Sequence, residues 1–336
     1  MKRLRLLSAQ SSHPKFKNYP LPQPFASISL RGNATGDDCS IATSRYLGVA
    51  DGVGQWNRRE HGSAGLWSRL MITSFAEKMD AVTGSPDGSA GSYQGVTGSK
   101  IVDILEESYH DIMAMCKHPK ARPTGPSPKG DFTTTSMSDP LNKHEKHLRE
   151  DGVEIEYQGS TTLLVGALQA DPEGPGTKLH IVNIGDSGLL LIRDGTVSFA
   201  TEEQQHWFDC PFQIGHNSPD TPATSGVLST VDLRAGDLVV ASTDGLGDNV
   251  YPSQILEVIE AEERQATEAN QDEFGTDDLG RICKKLCAMA REKMADEWGE
   301  SPFGDKAICE GIGFMGGKKD DVSIVVSRVV EDVQSD

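Results

Sequence analysis

Residues 47–56 read "LGVADGVGQW" and place a carboxylate where an apolar segment ends. Leu47, Val49 and Ala50 have the apolar character of a buried strand, and Asp51 and Gly52 follow them directly. A single Asp-Gly pair usually marks a turn. Four other stretches repeat the pattern, each with an aspartate beside a glycine or a second aspartate at the edge of an apolar run: "GDDCSIA", "VNIGDSG", "VVASTDGLGD" and "GGKKDDVSIVV".

Together these five stretches predict a metal centre. If the strands are neighbours, their ends bring several carboxylates together, and these repel one another unless a cation compensates their charge. Coordination by oxygen alone favours Mg²⁺ or Mn²⁺. Two such ions can share a bridging carboxylate and activate a water that attacks phosphorus. The carboxylates in these stretches are Asp37, Asp38, Asp51, Asp186, Asp244, Asp248, Asp320 and Asp321.

Composition excludes several classes of protein. The 336 residues are 36% hydrophobic and 24% charged, which is typical of a globular protein with a sizeable core. The formal net charge of -18 argues against a general nucleic-acid binder, because no basic stripe is available for phosphates. The longest apolar run, "TTLLVGAL", falls far short of the roughly 20 residues that cross a bilayer, so we expect no membrane span. The six cysteines lack zinc-like spacing and favour free thiols in a reducing compartment.

Periodicity predicts an α+β fold with antiparallel sheets covered by helices. Apolar residues recur at helical spacing in four segments and at strand spacing in the runs that follow residue 160, where "RDGT" predicts a hairpin turn. Strands and helices come in blocks, which favours α+β over a regular alternation. The predicted helices cover about 62–80, 100–116 and 252–263 and a longer segment that opens at Thr276 as N-cap, and the last strand is "DVSIVVSRVV".

The charge distribution predicts how the chain is divided. The first 36 residues contain six lysines and arginines and no acidic residue, so we expect residues 1–30 to form a basic flexible leader. This leader resembles a mitochondrial transit segment, and an ordinary disordered tail in a cytoplasmic protein is the alternative. Residues 31–330 form the predicted domain, interrupted at about 118–150 by a disordered insertion rich in Pro, Ser and Thr. Residues 331–336 form an acidic tail.

Ordered motifs across almost the whole chain resemble one family. "GVADGVGQW", "GSTTLLVGAL", "LHIVNIGDSGLLLIRDG", "GDLVVASTDGLGDNV" and "GGKKDDVSIVV" are similar to the metal-dependent protein serine/threonine phosphatases of type 2C. "EEQQHWFDCPFQI" and "SPFGDKA" resemble the subfamily of the mitochondrial protein phosphatase 2C homolog 7. The resemblance implies a four-layer sandwich, in which two antiparallel β-sheets lie between α-helices and the metals bind in a cleft at one end.

The resemblance also implies roles for individual residues. Asp51 matches the carboxylate that bridges two Mg²⁺ or Mn²⁺ ions, and Gly52 matches the residue whose carbonyl faces one of them. The remaining implied ligands are Asp244 and Asp320 at the second metal, Asp37 and Asp38 acting partly through water, and Asp186, which with Asp244 holds a weaker third ion in some members. The implied reaction is direct attack by a metal-activated water on phosphoserine or phosphothreonine, with no phosphoenzyme.

Two expected groups have no clear match. Many members carry a histidine after the Asp-Gly pair as general acid, and this chain has Val53 there. His206 is the candidate acid, although we favour a packing role in its aromatic loop; His61 fits a solvated residue at a helix start. Arg31 lies six residues before Asp37, which does not match the spacing of the family's phosphate-binding arginine, so phosphate anchoring is unassigned.

The leading hypothesis is a monomeric phosphatase whose partners are phosphorylated proteins. One alternative keeps the metal centre and replaces the protein substrate by small phosphoesters. The other is a catalytically silent scaffold that binds phosphoproteins. The presence of all the main aspartates argues against the scaffold.

Overall fold

Two antiparallel sheets form the centre of the fold, and their central strands are buried at almost every position. The computed structural model describes residues 4–16, 20–22, 25–84, 96–117, 156–170, 176–269 and 274–332. The five-stranded sheet has the order β1 (Leu4–His13), β15 (Val322–Glu331), β14 (Leu238–Ser242), β8 (Gly188–Arg193), β9 (Thr196–Ala200). The six-stranded sheet has the order β13 (Val227–Leu233), β7 (Thr177–Ile184), β6 (Leu163–Ala170), β4 (Tyr46–Asp51), β3 (Asp38–Ala42), β2 (Asn33–Thr35). Two short pairs join β5 (Ser160–Thr161) to β12 (Ile214–Gly215) and β10 (Gln205–Trp207) to β11 (Cys210–Pro211).

Helices cover the outer face of each sheet. They are α1 (Ala64–Thr83), α2 (Gly98–Lys117), α3 (Pro222–Ser225), α4 (Asp244–Gly247), α5 (Pro252–Glu268), α6 (Thr276–Ala295) and α7 (Pro302–Cys309). Leu47 and Val49 of one sheet and Val239 and Val325 of the other are fully buried in the core between the sheets. Separate apolar clusters lie under α1 and α2 and under α5 and α6. The predicted four-layer α+β sandwich is therefore confirmed.

Local sequence patterns predicted most of the helices and the hairpin between β8 and β9. The "RDGT" hairpin is confirmed: Asp194 and Gly195 both have positive φ, at 50° and 73°, as the turn between β8 and β9 requires. The N-cap of α6 is Gly275, one residue before the predicted Thr276, because the Asp278 side chain accepts a hydrogen bond from the Gly275 N–H at 2.6 Å. Helix α7 was not predicted, although Ser301 accepts from the Gly304 N–H as its N-cap.

The prediction of a flexible leader is wrong for residues 4–13. This segment is β1, which pairs with β15 at ten consecutive positions, from Leu4 opposite Glu331 to His13 opposite Val322. Leu6 is only 2% exposed and belongs to the core between the sheets, so burial of apolar surface holds the strand in place. The domain therefore includes residues before 31. The predicted insertion at 118–150 and residues 333–336 of the predicted tail lie outside the described residues.

Leu6→Ala is expected to lower the free energy of unfolding by about 2–5 kcal/mol, because it opens a cavity in the core. Denaturation with urea measures the change. Lys178→Ala, at an exposed position on β7, serves as the control and should change stability by less than about 0.5 kcal/mol. Equal effects of the two substitutions would contradict a folded, core-forming β1.

Two further features agree with the sequence. All six cysteines are free thiols, and Cys283 and Cys287 are buried on α6. None of the helices in the described ranges combines the length and the apolar character needed to cross a bilayer.

Candidate metal centre

Strand ends from both sheets meet at one end of the sandwich. Asp51 ends β4 and lies opposite Asp38 at the start of β3. Thr243, which joins β14 of the other sheet to α4, donates from Oγ1 to Asp38 Oδ2 at 2.8 Å. Its backbone N–H donates to the Ser323 carbonyl on β15 at 3.1 Å. The threonine thus fixes the two sheets to each other beside the aspartates.

The predicted aspartates are close enough to act on one another electrostatically. Burial raises the pKa of Asp51 well above its usual value, and the charges of Asp244, Asp38, Asp320 and Asp186 raise it further. These five residues come from separate stretches of the sequence. The structure therefore brings together the carboxylates that the strand-end pattern selected.

Three other carboxylates of the cluster, those of Asp320, Asp248 and Asp186, also have raised pKa values. Burial is the largest cause in each case, and it raises the pKa of Asp320 to about 7 and that of Asp248 to about 6. The charge of Asp244 is the next cause for both residues, and also for Asp186, whose pKa is raised well above its usual value. A cluster of buried carboxylates with raised pKa values is a site that a cation would stabilise.

Lys318 supplies a positive charge that the sequence did not predict for this site. Its Nζ lies 2.9 Å from Asp244 Oδ2, 2.9 Å from Asp248 Oδ2 and 2.8 Å from Asp209 Oδ1. Burial alone would raise the pKa of Asp244, but the charge and hydrogen bond of Lys318 outweigh it, and the pKa falls below its usual value. Asp244 is therefore held ionised.

Unpaired oxygens show that the donor set fits a divalent cation. Asp38 Oδ1, Asp186 Oδ1 and Asp244 Oδ1 are buried and have no hydrogen-bond partner among the residues that the structure describes. A buried carboxylate oxygen without a donor is costly unless a cation satisfies it. Within the described residues, no three His, Cys, Asp or Glu side chains are arranged around one point in the way a bound ion requires. Coordination therefore needs side-chain rotation of aspartates that already lie close together.

Asp321 binds the backbone of two segments beside this cluster. Its Oδ2 accepts from the Asp37 N–H at 2.8 Å, and its Oδ1 accepts from the Lys15 N–H at 2.5 Å. Asp37 itself accepts from Asn57 Nδ2 at 2.6 Å. The Lys15 ammonium lies 3.7 Å from Asp320 Oδ1. Asp321 was predicted only as one of the strand-end carboxylates, and Lys15 only as one of the basic residues near the start.

Gly52 is required by close packing. A Cβ at this position would lie 2.6 Å from the carbonyl of Ala64 and 2.7 Å from the Asp37 carbonyl oxygen, distances that real Cβ contacts do not reach. The Gly52 N–H donates to that same Asp37 oxygen at 3.1 Å. The glycine therefore lets the Asp51 turn lie directly against the start of α1 and the Asp37 backbone.

Gly52→Ala is expected to reduce the free energy of unfolding by about 1–3 kcal/mol, the usual cost of overpacking, and to weaken binding of a divalent ion by displacing Asp51. Chemical denaturation and titration with Mn²⁺ measure the two effects. Gly280→Ala is the matched control, because a Cβ at that position of α6 would meet no neighbouring atom within 4 Å. It should stabilise the chain by roughly 0.5–1 kcal/mol. A Gly52→Ala protein as stable as the wild type would contradict the packing argument.

The residues considered for catalysis and phosphate binding have other contacts. His206 Nε2 lies 2.8 Å from Asp220 Oδ2, and its ring is 4.4 Å from that of Phe212, contacts that support the packing role. His61 has a positive φ of 60° and lies beside Tyr157. Arg31 forms an ion pair with Asp80 on α1. Val53 donates its backbone N–H to the Ser160 carbonyl at 3.0 Å.

Sequence comparison identifies relatives that cover most of the chain. The chain is 34% identical over 297 residues to the probable protein phosphatase 2C 55 of Arabidopsis thaliana. The match covers 88% of this chain and 48% of that protein. The chain is 28% identical over 318 residues to the protein phosphatase PTC7 homolog of Danio rerio, covering 90% of this chain and 84% of the homolog. The chain spans 34–48% of the length of the first three curated relatives it matches. No family model matches the chain.

Structural comparison supports the same assignment of the fold. The catalytic domain of the serine threonine protein phosphatase PstP, solved in complex with two manganese ions, is similar with a TM-score of 0.53 at 19% identity. The match covers 98% of this chain and 100% of that one. Its relatives in sequence and its fold agree with the ordered motifs, and the chain belongs to the protein phosphatase 2C family.

Proposed function

We propose that this chain hydrolyses phosphoserine and phosphothreonine in proteins at a centre that holds two Mg²⁺ or Mn²⁺ ions. The observation that carries the proposal is the group of buried aspartates from both sheets, three of which have an unpaired oxygen. The names of the sequence relatives and the manganese ions of PstP support it. Phosphorylated proteins are the proposed partners.

The proposed ligands are those that the family resemblance implies, and the grouping of Asp51, Asp38, Asp186, Asp244 and Asp320 supports them. Asp51 and the carbonyl of Gly52 would help to hold the ions, as the resemblance to the family implies. Asp244, Asp320, Asp38 and Asp37 complete the site, the last two partly through water, and Asp186 lies at its edge. When bound, the ions supply Lewis-acid activation of a water and neutralise charge on the phosphoryl group.

The chain's own residues hold these ligands in position. The Asp51 carbonyl accepts from Thr161 Oγ1 at 2.8 Å and from the Thr162 N–H at 2.9 Å, so the end of β4 cannot move freely. Asp38 is fixed by Thr243 through one oxygen, which leaves the other available. Fixing the backbone of these ligands before binding confines the entropy lost on coordination largely to rotation of their side chains.

Lys15 is the residue we assign to bind the substrate phosphate. Its side chain is 34% exposed beside Asp320, so its positive charge is accessible from solvent. Lys15→Met is expected to raise KM for a phosphopeptide by roughly tenfold, the effect of about 1.4 kcal/mol, with a smaller change in kcat. Steady-state kinetics test this, with Lys178→Met at an exposed position on β7 as the control. An unchanged KM would contradict the assignment.

Hydrolysis assays decide between the proposed function and its alternatives. The full chain is stripped with EDTA and assayed for phosphate release with and without Mn²⁺ or Mg²⁺. A phosphoserine peptide, a phosphotyrosine peptide and glucose 6-phosphate serve as substrates. We expect metal-dependent release that is fastest from the phosphoserine peptide. A higher kcat/KM for glucose 6-phosphate would favour the small-phosphoester alternative, and no turnover of any substrate by the metal-replete chain would favour the scaffold.

A mitochondrial location is a separate proposal, supported by the basic residues near the start and by similarity to the PTC7 homolog. Since residues 4–13 form β1, the test uses the full chain with a fluorescent reporter at its C-terminus. Replacement of Lys2 and Arg3 by glutamine should then reduce the mitochondrial signal. A diffuse cytosolic signal from the unmodified chain would contradict the proposal.

A further inference from the structure

We propose that Lys318 is a built-in cation of the metal centre, which prevents an additional divalent ion from binding at the end formed by Asp186, Asp244 and Asp248. The inference rests on the proposed metal centre and concerns how many ions it holds. On this proposal, the metal centre contains two exchangeable divalent ions and the fixed ammonium group of Lys318.

Contacts place the ammonium where a cation would bind. Nζ lies within 2.9 Å of oxygens from Asp244 and Asp248 and within 2.8 Å of Asp209, so three carboxylates surround it. The side chain is only 18% exposed, and Nζ lies 4.8 Å from the centre of the Phe303 ring. Three carboxylate oxygens around one buried positive charge resemble the donor set of a hard metal ion.

The backbone keeps the lysine at this position. Asn249 Nδ2 donates to the Lys318 carbonyl at 2.9 Å and to the Gly245 carbonyl at 2.9 Å. Asn249 is fully buried and Gly245 lies in α4 beside Asp244. The segment before β15 is therefore bonded to the region of α4, which begins at Asp244 and is followed by Asp248. These backbone contacts hold Lys318 beside the two aspartates.

Charge counting shows why removal of the ammonium would create a site. When ionised, Asp186, Asp244, Asp248 and Asp209 contribute four negative charges at this end, and Lys306, 3.2 Å from Asp248, is also paired with Glu203. Asp186 Oδ1 and Asp244 Oδ1 already have no hydrogen-bond partner. Without Lys318, the excess negative charge and the freed oxygens favour a divalent ion. With it, an incoming ion meets a positive charge a few ångströms away.

The same ammonium links the metal centre to the β10–β11 hairpin. Asp209 lies in the turn of this hairpin with a φ of 57°, and the adjacent Phe208 ring is 5.2 Å from Phe303. A divalent ion in place of Lys318 would exchange with solvent and depend on the metal concentration, whereas the lysine holds the hairpin turn under all metal conditions.

Counting bound Mn²⁺ tests the proposal. The full chain, Lys318→Met and Lys319→Met are titrated with Mn²⁺, free ion is measured by electron paramagnetic resonance, and bound metal is verified by elemental analysis after equilibrium dialysis. Lys319 is exposed and is the matched control. We expect two ions per chain for the wild type and Lys319→Met, and three for Lys318→Met. The double variant Lys318→Met, Asp186→Asn should return to two.

Each other outcome overturns the proposal. A wild-type chain that binds a third ion as tightly as Lys318→Met does would contradict the proposal. Two ions on a Lys318→Met protein that retains the wild-type near-ultraviolet circular dichroism would also contradict it; Lys318→Gln replaces that variant if methionine does not fold. Failure of the wild type to bind Mn²⁺ would contradict the metal centre itself, a result distinct from an unchanged count of two.

Discussion

Replacement of Asp51 by asparagine is expected to abolish phosphopeptide hydrolysis and, at the same time, to stabilise the metal-free chain. The amide keeps the volume of the side chain but cannot bridge two cations. Loss of one preorganised electrostatic group commonly costs about 10²–10³-fold in rate, and a bridging ligand should cost at least that much in kcat/KM. Without metal, burial and the charges of Asp244 and Asp38 act against ionised Asp51, so a neutral amide removes repulsion.

Two measurements on the same protein separate these effects. A phosphatase assay with saturating Mn²⁺ gives kcat/KM, and thermal denaturation in EDTA gives Tm. Relief of about 1 kcal/mol of repulsion should raise Tm by roughly 2–4 °C. Asp103→Asn, at an exposed position on α2, should leave both values unchanged. An active Asp51→Asn protein would contradict the role of Asp51, and a lower Tm in EDTA would contradict the repulsion between the carboxylates.

The grouping of the aspartates at the proposed metal centre could be predicted because each signal is local. A strand that ends on a carboxylate beside a glycine is visible within about ten residues, as at Asp51 and Gly52. The partners that complete the centre are not local. Lys15 meets Asp321 across 306 residues, and Lys318 meets Asp209 on a different segment. A lysine beside an aspartate is usually a solvated surface residue, and only the fold determines which carboxylates surround it.

The prediction for strand β1 failed for a related reason. A short segment with basic residues, serines and no acidic residue suits both a flexible leader and an edge strand. The choice depends on β15, which is more than 300 residues away and supplies the partner for every residue from Leu4 to His13. Strand propensity predicts such a segment poorly, because pairing with β15 and burial of Leu6 decide whether it forms a strand. Helices α1, α2 and α5, by contrast, showed their apolar faces in the local sequence and were predicted correctly.

The stability of the metal-free chain is expected to fall as pH rises from about 5 to 8, and Mn²⁺ is expected to reverse this trend. Burial raises the folded-state pKa of Asp320 to about 7 and that of Asp248 to about 6, whereas an unfolded aspartate has a pKa of about 3.9. The folded chain therefore binds more protons than the unfolded chain in this range. Stability is greatest below the unfolded pKa and is lost as pH passes through the folded values. Asp244, whose pKa is lowered, stays ionised and adds no slope.

Mn²⁺ binds the deprotonated carboxylates, so its effect grows with pH. At about 100 times its Kd, one ion stabilises the folded state by about 2.7 kcal/mol, and two ions at pH 8 should raise Tm by on the order of 10 °C. Thermal denaturation at pH 5.5 and pH 8, in EDTA and in Mn²⁺, gives the four values needed. The difference between EDTA and Mn²⁺ should be large at pH 8 and small at pH 5.5, and Asp51→Asn should reduce it at pH 8. Equal Tm values with and without Mn²⁺ at pH 8 would contradict a metal centre built from these carboxylates, because no cation would then be relieving their repulsion.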